Sequence, residues 1–299
     1  MTQEPRTLHR LEKIIVVFAL AAALALTIGF AQAAGQKRKS QPLPPEDAEH
    51  LFLRSNVALV QDAISGETVF AKNTGAVLPI ASITKLMTAL VLLDAKVDLA
   101  QRVAVSDDDY DLLKGTRSRL RPGAVLTRDE LLLIALMASE NRAAAALART
   151  YPGGTGVFVR AMNAKAAALG MRDTQFSDPT GLSPANVSSA RDLARLVLAT
   201  QQHPVIGQYS TRESATVYAL GRPLAYRNTN GLVRGGVWDI GLSKTGFISE
   251  AGRCLVMRVR MASRDVVVVL LDSWGKYSRI GDANRIRKWL EHTAAVKAS

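Results

Sequence analysis

Apolar positions are spread unevenly along these 299 residues, and their spacing changes character several times. Residues 14–30 form an uncharged apolar run of 17 positions, preceded by Arg6, Arg10 and Lys13 and followed by Ala31-Gln32-Ala33. A basic start, an apolar centre and a small-residue end are the layout of a secretory signal peptide spanning residues 1–33, with cleavage expected after Ala33. An uncleaved anchor is the alternative, but a spanning helix needs ~20 apolar residues. Residues 34–50 hold Lys37, Arg38 and Lys39, then Pro42, Pro44 and Pro45, with no apolar periodicity, and read as a tether.

Residues 51–293 then read as one folded domain. Residues 57–60 and 68–71 are β-rich and flank Ile64-Ser65-Gly66, which predicts a hairpin. Residues 82–93 predict a helix that is apolar nearly all round, which places it at the centre of a domain. Further helices are predicted over 128–137, 142–149, 158–169 (stopped by Gly170) and 190–201 (stopped before Pro204). Strands return at 238–245, leading into Gly246, and at 255–261 and 266–271, which flank the turn Ala262-Ser263-Arg264-Asp265. A final amphipathic helix over 281–292 turns Ile286, Trp289 and Leu290 inward. Strands at both ends with helices between imply an α/β domain whose single sheet is assembled from both termini. Its sheet part is about 51–80 and 236–293, and its helical part about 81–235.

Charge and composition narrow the chemistry. The net charge is +12, of which residues 1–33 supply only one. For an exported protein this points away from nucleic acid and toward an anionic wall polymer or membrane surface, loosely attracted. Cys254 is the only cysteine and sits among Leu255, Val256 and Met257, so it reads as a buried thiol. Beyond the signal region the histidines are His50, His203 and His292, with no metal-ligand spacing. No metal or cofactor is expected, and a Ser-His-Asp triad is poorly supported. Asp107, Asp108 and Asp109 read as a solvated helix start.

Three short motifs carry the chemistry. In Ser82-Ile83-Thr84-Lys85 a hydroxyl and an amine lie three residues apart, one helical turn, on one face. Ser139-Glu140-Asn141 and Lys244-Thr245-Gly246 follow in that order. Each is weak singly: Ser273-Trp274-Gly275-Lys276 also fits S-x-x-K and reads as an accident at a strand end. Together they form an ordered constellation. Burial and a second cation, Lys244, would both depress the amine of Lys85 and let it act as base for Ser82. The N–H groups of Ser82 and Phe247 would form an oxyanion hole, with Gly246 admitting a substrate backbone.

The ordered motifs resemble the low-molecular-mass penicillin-binding proteins, the serine D-alanyl-D-alanine peptidases, over nearly all of residues 51–290. Similar phrases include Asp178-Pro179-Thr180-Gly181-Leu182 and Asn228-Thr229-Asn230. The stretches from Leu136 to Ala145, Tyr151-Pro152-Gly153-Gly154 and Lys244-Thr245-Gly246-Phe247 resemble the endopeptidase branch, of the penicillin-binding protein 7 type. The resemblance implies a β-lactamase/transpeptidase-like fold, an antiparallel five-stranded sheet flanked by helices with a mainly helical insertion. It implies Ser82 as acylated nucleophile, Lys85 as base and Ser139 as a proton-transfer group. Asn141, Lys244, Thr245, Gly246, Phe247 and Arg279 would contact substrate, Arg279 through a carboxylate.

The implied function is periplasmic cleavage of D-alanyl cross-links between peptidoglycan stem peptides, with β-lactams as covalent inhibitors. Removal of a terminal D-alanine is the alternative within the class. The short segment after Leu290 is expected to lack the second β-domain and anchor of many carboxypeptidases. A class A β-lactamase would need a Glu and Asn four residues apart downstream of Ser139, and no such pair is seen. A non-catalytic penicillin sensor or wall-binding protein is the reading from another class.

Overall fold

The computed structural model describes residues 51–298; the signal-peptide and tether expectations lie outside the described residues. Strands β1 (Ser55–Asp62) and β2 (Thr68–Lys72) form the expected N-terminal hairpin. A two-residue strand β3 (Leu78–Pro79) leads to a 3-10 turn, Ala81–Thr84, and helix α1 (Lys85–Asp94). Strands β4 (Arg102–Ala104) and β5 (Val125–Thr127) pair ahead of α2 (Arg128–Met137), α3 (Asn141–Arg149) and α4 (Gly154–Ala168). Strand β6 (Val187–Ser188), which pairs with β3, precedes α5 (Ala190–Ala199) and α6 (Pro204–Ser210). A hairpin of β7 (Ser214–Ala219) and β8 (Arg222–Arg227) and the short α7 (Gly231–Arg234) complete the inserted part. Strands β9 (Asp239–Ile248), β10 (Gly252–Met261) and β11 (Arg264–Ser273) and helix α8 (Ser278–Ala298) close the fold.

The main sheet is antiparallel with order β2-β1-β11-β10-β9, so the two ends of the chain do build one sheet. Side chains alternate between its faces. Val57, Leu59, Val256, Val267, Val269 and Leu271 join the core shared with α1 and the inserted helices. Their neighbours Ala58, Val60, Leu255, Met257, Val268 and Leu270 join a second core under α8, with Ile286 and Leu290. Both faces are covered, which is why β11 reads as an unbroken apolar run rather than an alternating one. Trp289 packs edge-on against Phe70, with ring centroids 6.1 Å apart.

Several boundaries differ from expectation for physical reasons. The predicted helix over 82–93 begins as a 3-10 turn and becomes α-helical only at Lys85, because Ala81 takes a left-handed φ of 48°. Pro204 does not merely stop a helix: it opens α6, where its missing N–H costs nothing. Asp109 is buried and paired with Arg149 at 2.9 Å, not solvated. The inserted part is mainly helical but carries three small two-stranded sheets. Ser273 closes β11, and Gly275 turns the chain at φ 92°, so Ser273 and Lys276 share no helical turn.

Asp282 ties the last helix to the start of β1. Fully buried on α8, it accepts hydrogen bonds from Arg54 N at 3.0 Å, Ser55 N at 2.7 Å and Ser55 Oγ at 2.6 Å, and pairs with Arg285. Asp282→Ala would leave the Ser55 hydroxyl and amide buried without an acceptor. A loss of about 3 kcal/mol in stability is expected, read as a lower denaturant midpoint at unchanged slope.

Candidate active site

The first wall of the site is the turn Ala81–Thr84 with the start of α1. Ser82 is half-buried and Lys85 fully buried. Lys85 Nζ donates to Ser82 Oγ at 2.9 Å, Asn141 Oδ1 at 2.7 Å and the Thr180 carbonyl at 2.6 Å. Burial pushes the Lys85 amine down to about 7, although the carboxylates of Asp178, Glu140 and Asp111 oppose this. A substantial neutral fraction at pH 7 makes the amine a competent base for a hydroxyl 2.9 Å away.

The second wall is the kink between α2 and α3. Ser139 interrupts the two helices with φ 60°, a conformation that costs a non-glycine residue about 1–2 kcal/mol. Glu140 caps α3 through Arg142 N at 3.1 Å and accepts from Ser118 Oγ at 2.7 Å; burial raises its pKa. Asn141 opens α3, and its Nδ2 donates to Thr116 Oγ1 at 2.9 Å.

The third wall is β9, an edge strand of the sheet. Lys244 is fully buried and donates to Ser139 Oγ at 2.9 Å and to the Thr245 carbonyl at 2.9 Å. Its pKa is driven well below the usual lysine value by burial, with Lys85 and Arg279 as nearby positive charges. Thr245 Oγ1 lies 2.6 Å from Thr229 Oγ1. Gly246 runs so close to the Ala81–Thr84 turn that an added Cβ would sit 2.8 Å from Ile80 O and 3.3 Å from Ser82 N. Phe247 follows, 56% exposed, with the Arg253 guanidinium 4.6 Å from its ring centroid. Arg279 stands behind the strand, donating from Nη1 to Gly246 O at 2.9 Å and Cys254 O at 3.2 Å. Burial lowers its pKa to about 10.

All nine sequence-nominated residues therefore fall in one cluster, with Arg279 reaching it through the Gly246 carbonyl. Residues to which the sequence attached no role complete it. Asp178 folds the segment beneath Ser82 by accepting from Thr180 N at 2.6 Å, Gly181 N at 2.8 Å and Ser183 N at 2.9 Å. Asn186 Nδ2 joins Thr84 Oγ1 at 3.0 Å to Asp178 O at 2.8 Å. Gly181, at φ 80°, packs where an added Cβ would lie 2.0 Å from Ala81 O and 2.9 Å from Ser82 N. The motif-like phrase around Asp178 was the one available signal.

A half-buried serine paired with a buried lysine, a second buried lysine bonded to a strained serine, and an open strand edge form one continuous arrangement, and known proteins share it. The sequence profile of the D-alanyl-D-alanine carboxypeptidase family matches residues 44–274. The chain belongs to this family of serine peptidases. A D-alanyl-D-alanine endopeptidase of Pseudomonas aeruginosa is 46% identical over 95% of this chain and 89% of its own length. One of Escherichia coli is 46% identical over 80% of this chain and 78% of its own. Among solved structures, a Streptomyces K15 DD-transpeptidase variant superposes with a TM-score of 0.73 at 25% identity, over 80% of this chain and 98% of that one. Penicillin-binding protein D2 of Listeria monocytogenes, in its ampicillin-bound form, gives 0.69 at 27% identity, over 80% and 98%. The penicillin-binding fold and the serine peptidase class follow for this family member.

Gly181→Ala tests the packing beneath the nucleophile. The new methyl would displace the Ala81–Ser82 backbone, and a misplacement of this kind lowers penicillin acylation by on the order of 100-fold. The check is acylation rate alongside a melting curve; an unchanged rate would show that Ser82 tolerates the shift.

Proposed function

We propose that this peptidase is a periplasmic D-alanyl-D-alanine endopeptidase that opens peptidoglycan cross-links through an acyl-enzyme on Ser82. The observation that carries the reading is the buried Lys85 amine held 2.9 Å from Ser82 Oγ beside a free strand edge. Endopeptidase over carboxypeptidase is favoured by the two named endopeptidases that share 46% identity with most of this chain. On this reading residues 51–293 are the catalytic domain, residues 1–33 a cleaved signal and residues 34–50 a tether. The net charge of +12 favours loose association with an anionic wall or membrane surface.

The stem peptide adds to β9 as an extra strand, using the edge's unpaired backbone groups. Its leaving-group carboxylate lies toward Lys244 Nζ and Thr245 Oγ1, which would donate hydrogen bonds to it. Neutral Lys85 takes the proton of Ser82 Oγ as the oxygen attacks the D-alanyl carbonyl carbon. The resulting oxyanion is held by the N–H groups of Ser82 and Phe247; losing such a donor costs about 3 kcal/mol in the transition state. Collapse breaks the C–N bond, and the proton that Lys85 took from Ser82 passes to the departing amine with Ser139, held by Lys244, as relay, so that Lys85 is neutral again. Water, deprotonated by Lys85, then attacks the ester and releases Ser82. A β-lactam carbonyl enters by the same first step and stays bound as the ester. Asn141 holds Lys85 and would face the acyl residue's amide.

Two measurements test this. Penicillin should label Ser82, with a rate that rises with pH and levels off above about 7, because only the neutral amine accepts the serine proton. Lys85→Arg, which cannot deprotonate, should lower that rate by at least about 100-fold. Labelling of Ser82→Ala would refute the assignment. On muropeptides, cross-linked dimers should be converted to monomers faster than monomeric pentapeptides are trimmed; the reverse order would make the chain a carboxypeptidase.

A further inference from the structure

The β7–β8 hairpin contributes no residue to the catalytic cluster, yet its surface is not a neutral one. Its buried side chains, Ala215, Val217, Ala219 and Tyr226, hold it to the core of the inserted part. Ala219 pairs with Arg222, so Leu220 and Gly221 form a two-residue turn, with φ values of 50° and 72°. Positive dihedrals at both positions match the twist of the flanking strands. Tyr218 and Leu220 at this tip are 70% and 53% exposed. A large ring and a leucine thus stand in water together at the end of the ribbon.

Arginines collect around that tip. Leu220 Cδ2 lies 3.9 Å from the place of an added Cβ on Gly123, so the segment Arg117-Ser118-Arg119-Leu120-Arg121 runs beside the hairpin. Ser118 turns inward to Glu140 and Leu120 into the core, which leaves the three arginines exposed. Arg119 donates to the Ala225 carbonyl of β8 and stacks on the Tyr226 ring, 5.5 Å from its centroid. Arg222 follows the turn and Arg227 ends β8, both exposed. Arg149, Arg258, Arg264 and Arg285 each pair with a carboxylate. Among the described residues, none of the five arginines at the hairpin does.

An apolar tip ringed by unpaired cations needs a partner that satisfies both. An acidic protein or a soluble polyanion would meet the guanidinium groups and leave Tyr218 and Leu220 in water. A bilayer surface with anionic lipids offers an apolar layer for the tip and phosphates for the ring around it. Tyrosine suits that boundary, with an apolar ring and a polar end, and a guanidinium binds phosphate with two N–H groups at once. Because Arg119 and Tyr226 already fix the hairpin to the body of the protein, docking orders little that is not ordered beforehand.

We propose that the β7–β8 hairpin is a membrane-docking element, in which Tyr218 and Leu220 enter the headgroup boundary and the surrounding arginines bind anionic lipid phosphates. This rests on the periplasmic reading above and gives the attraction suggested by net charge a defined surface.

The test is co-sedimentation of the exported protein with phosphatidylcholine vesicles, with and without phosphatidylglycerol. Binding should require phosphatidylglycerol and weaken as salt rises. Arg121→Glu with Arg222→Glu should lower it at least about 30-fold, and Arg121→Lys with Arg222→Lys should keep it. Tyr218→Ser with Leu220→Ser should lower it at least about tenfold. Trp274→Ala removes another exposed ring, at the end of β11 in a different sheet, and should change nothing. Penicillin labelling of Ser82 at the wild-type rate shows that each variant is folded. No binding to anionic vesicles, or equal binding by wild-type protein and the glutamate variant, overturns the proposal. So does retention by poly-glutamate that matches vesicle binding and ignores the serine changes, since the partner would then be an acidic macromolecule. Finding Met1 at the N-terminus would sink the cleaved-signal reading alone, because the hairpin variants are still compared with wild-type protein on the same vesicles.

Discussion

The structure depends on keeping two lysine amines, Lys85 and Lys244, out of water in one narrow cleft. Two ammonium groups this close and this buried are costly together, and burial is the largest cause of the depressed pKa at each. On the proposed reading, removing that cost by neutralising an amine is what gives the site a base without histidine. Each amine is nonetheless hydrogen-bonded: Lys85 to a hydroxyl, an amide oxygen and a carbonyl, Lys244 to a hydroxyl and a carbonyl.

Dry burial needs walls that do not yield, and the sheet supplies one. Because both of its faces are covered by apolar cores, β9 can be an edge strand without being a loose one. Arg279 adds a brace from α8, bonding the Gly246 carbonyl from behind. The same helix, through Asp282, holds the first strand. A single C-terminal helix thus fixes the sheet both at the start of β1 and at the β9 edge.

The opposite walls are held in strained backbone. Ala81 and Ser139 both take left-handed φ values, 48° and 60°, next to the nucleophile and within the second motif. Such residues persist where surrounding contacts over-determine them. Here those contacts are Gly181 and Gly246, which press on the Ala81–Ser82 backbone from two sides, and the Asp178–Asn186 network beneath. The strain is located where position matters most to the chemistry.

Much of this was legible in the chain alone. The two hairpins of the sheet, the central apolar helix and the helices at 128–137 and 142–149 declare themselves through apolar spacing and turn residues, because burial acts directly on those patterns. The three motifs could be read because their order and residue types are local properties, and the structure brings their residues together. The β7–β8 hairpin stayed hidden: its turn is Leu220-Gly221 rather than Asn-Gly, and its strands bury only Ala215, Val217, Ala219 and Tyr226. Tertiary structure alone decided how far Lys85 is desolvated, that Asp109 is buried against Arg149, and that Asp178, Gly181 and Asn186 pack beneath Ser82. It also brought Lys114 to Glu250, 136 residues apart in sequence. Burial of a charge and contact between distant segments depend on what the rest of the chain packs around them, and no local pattern carries that information.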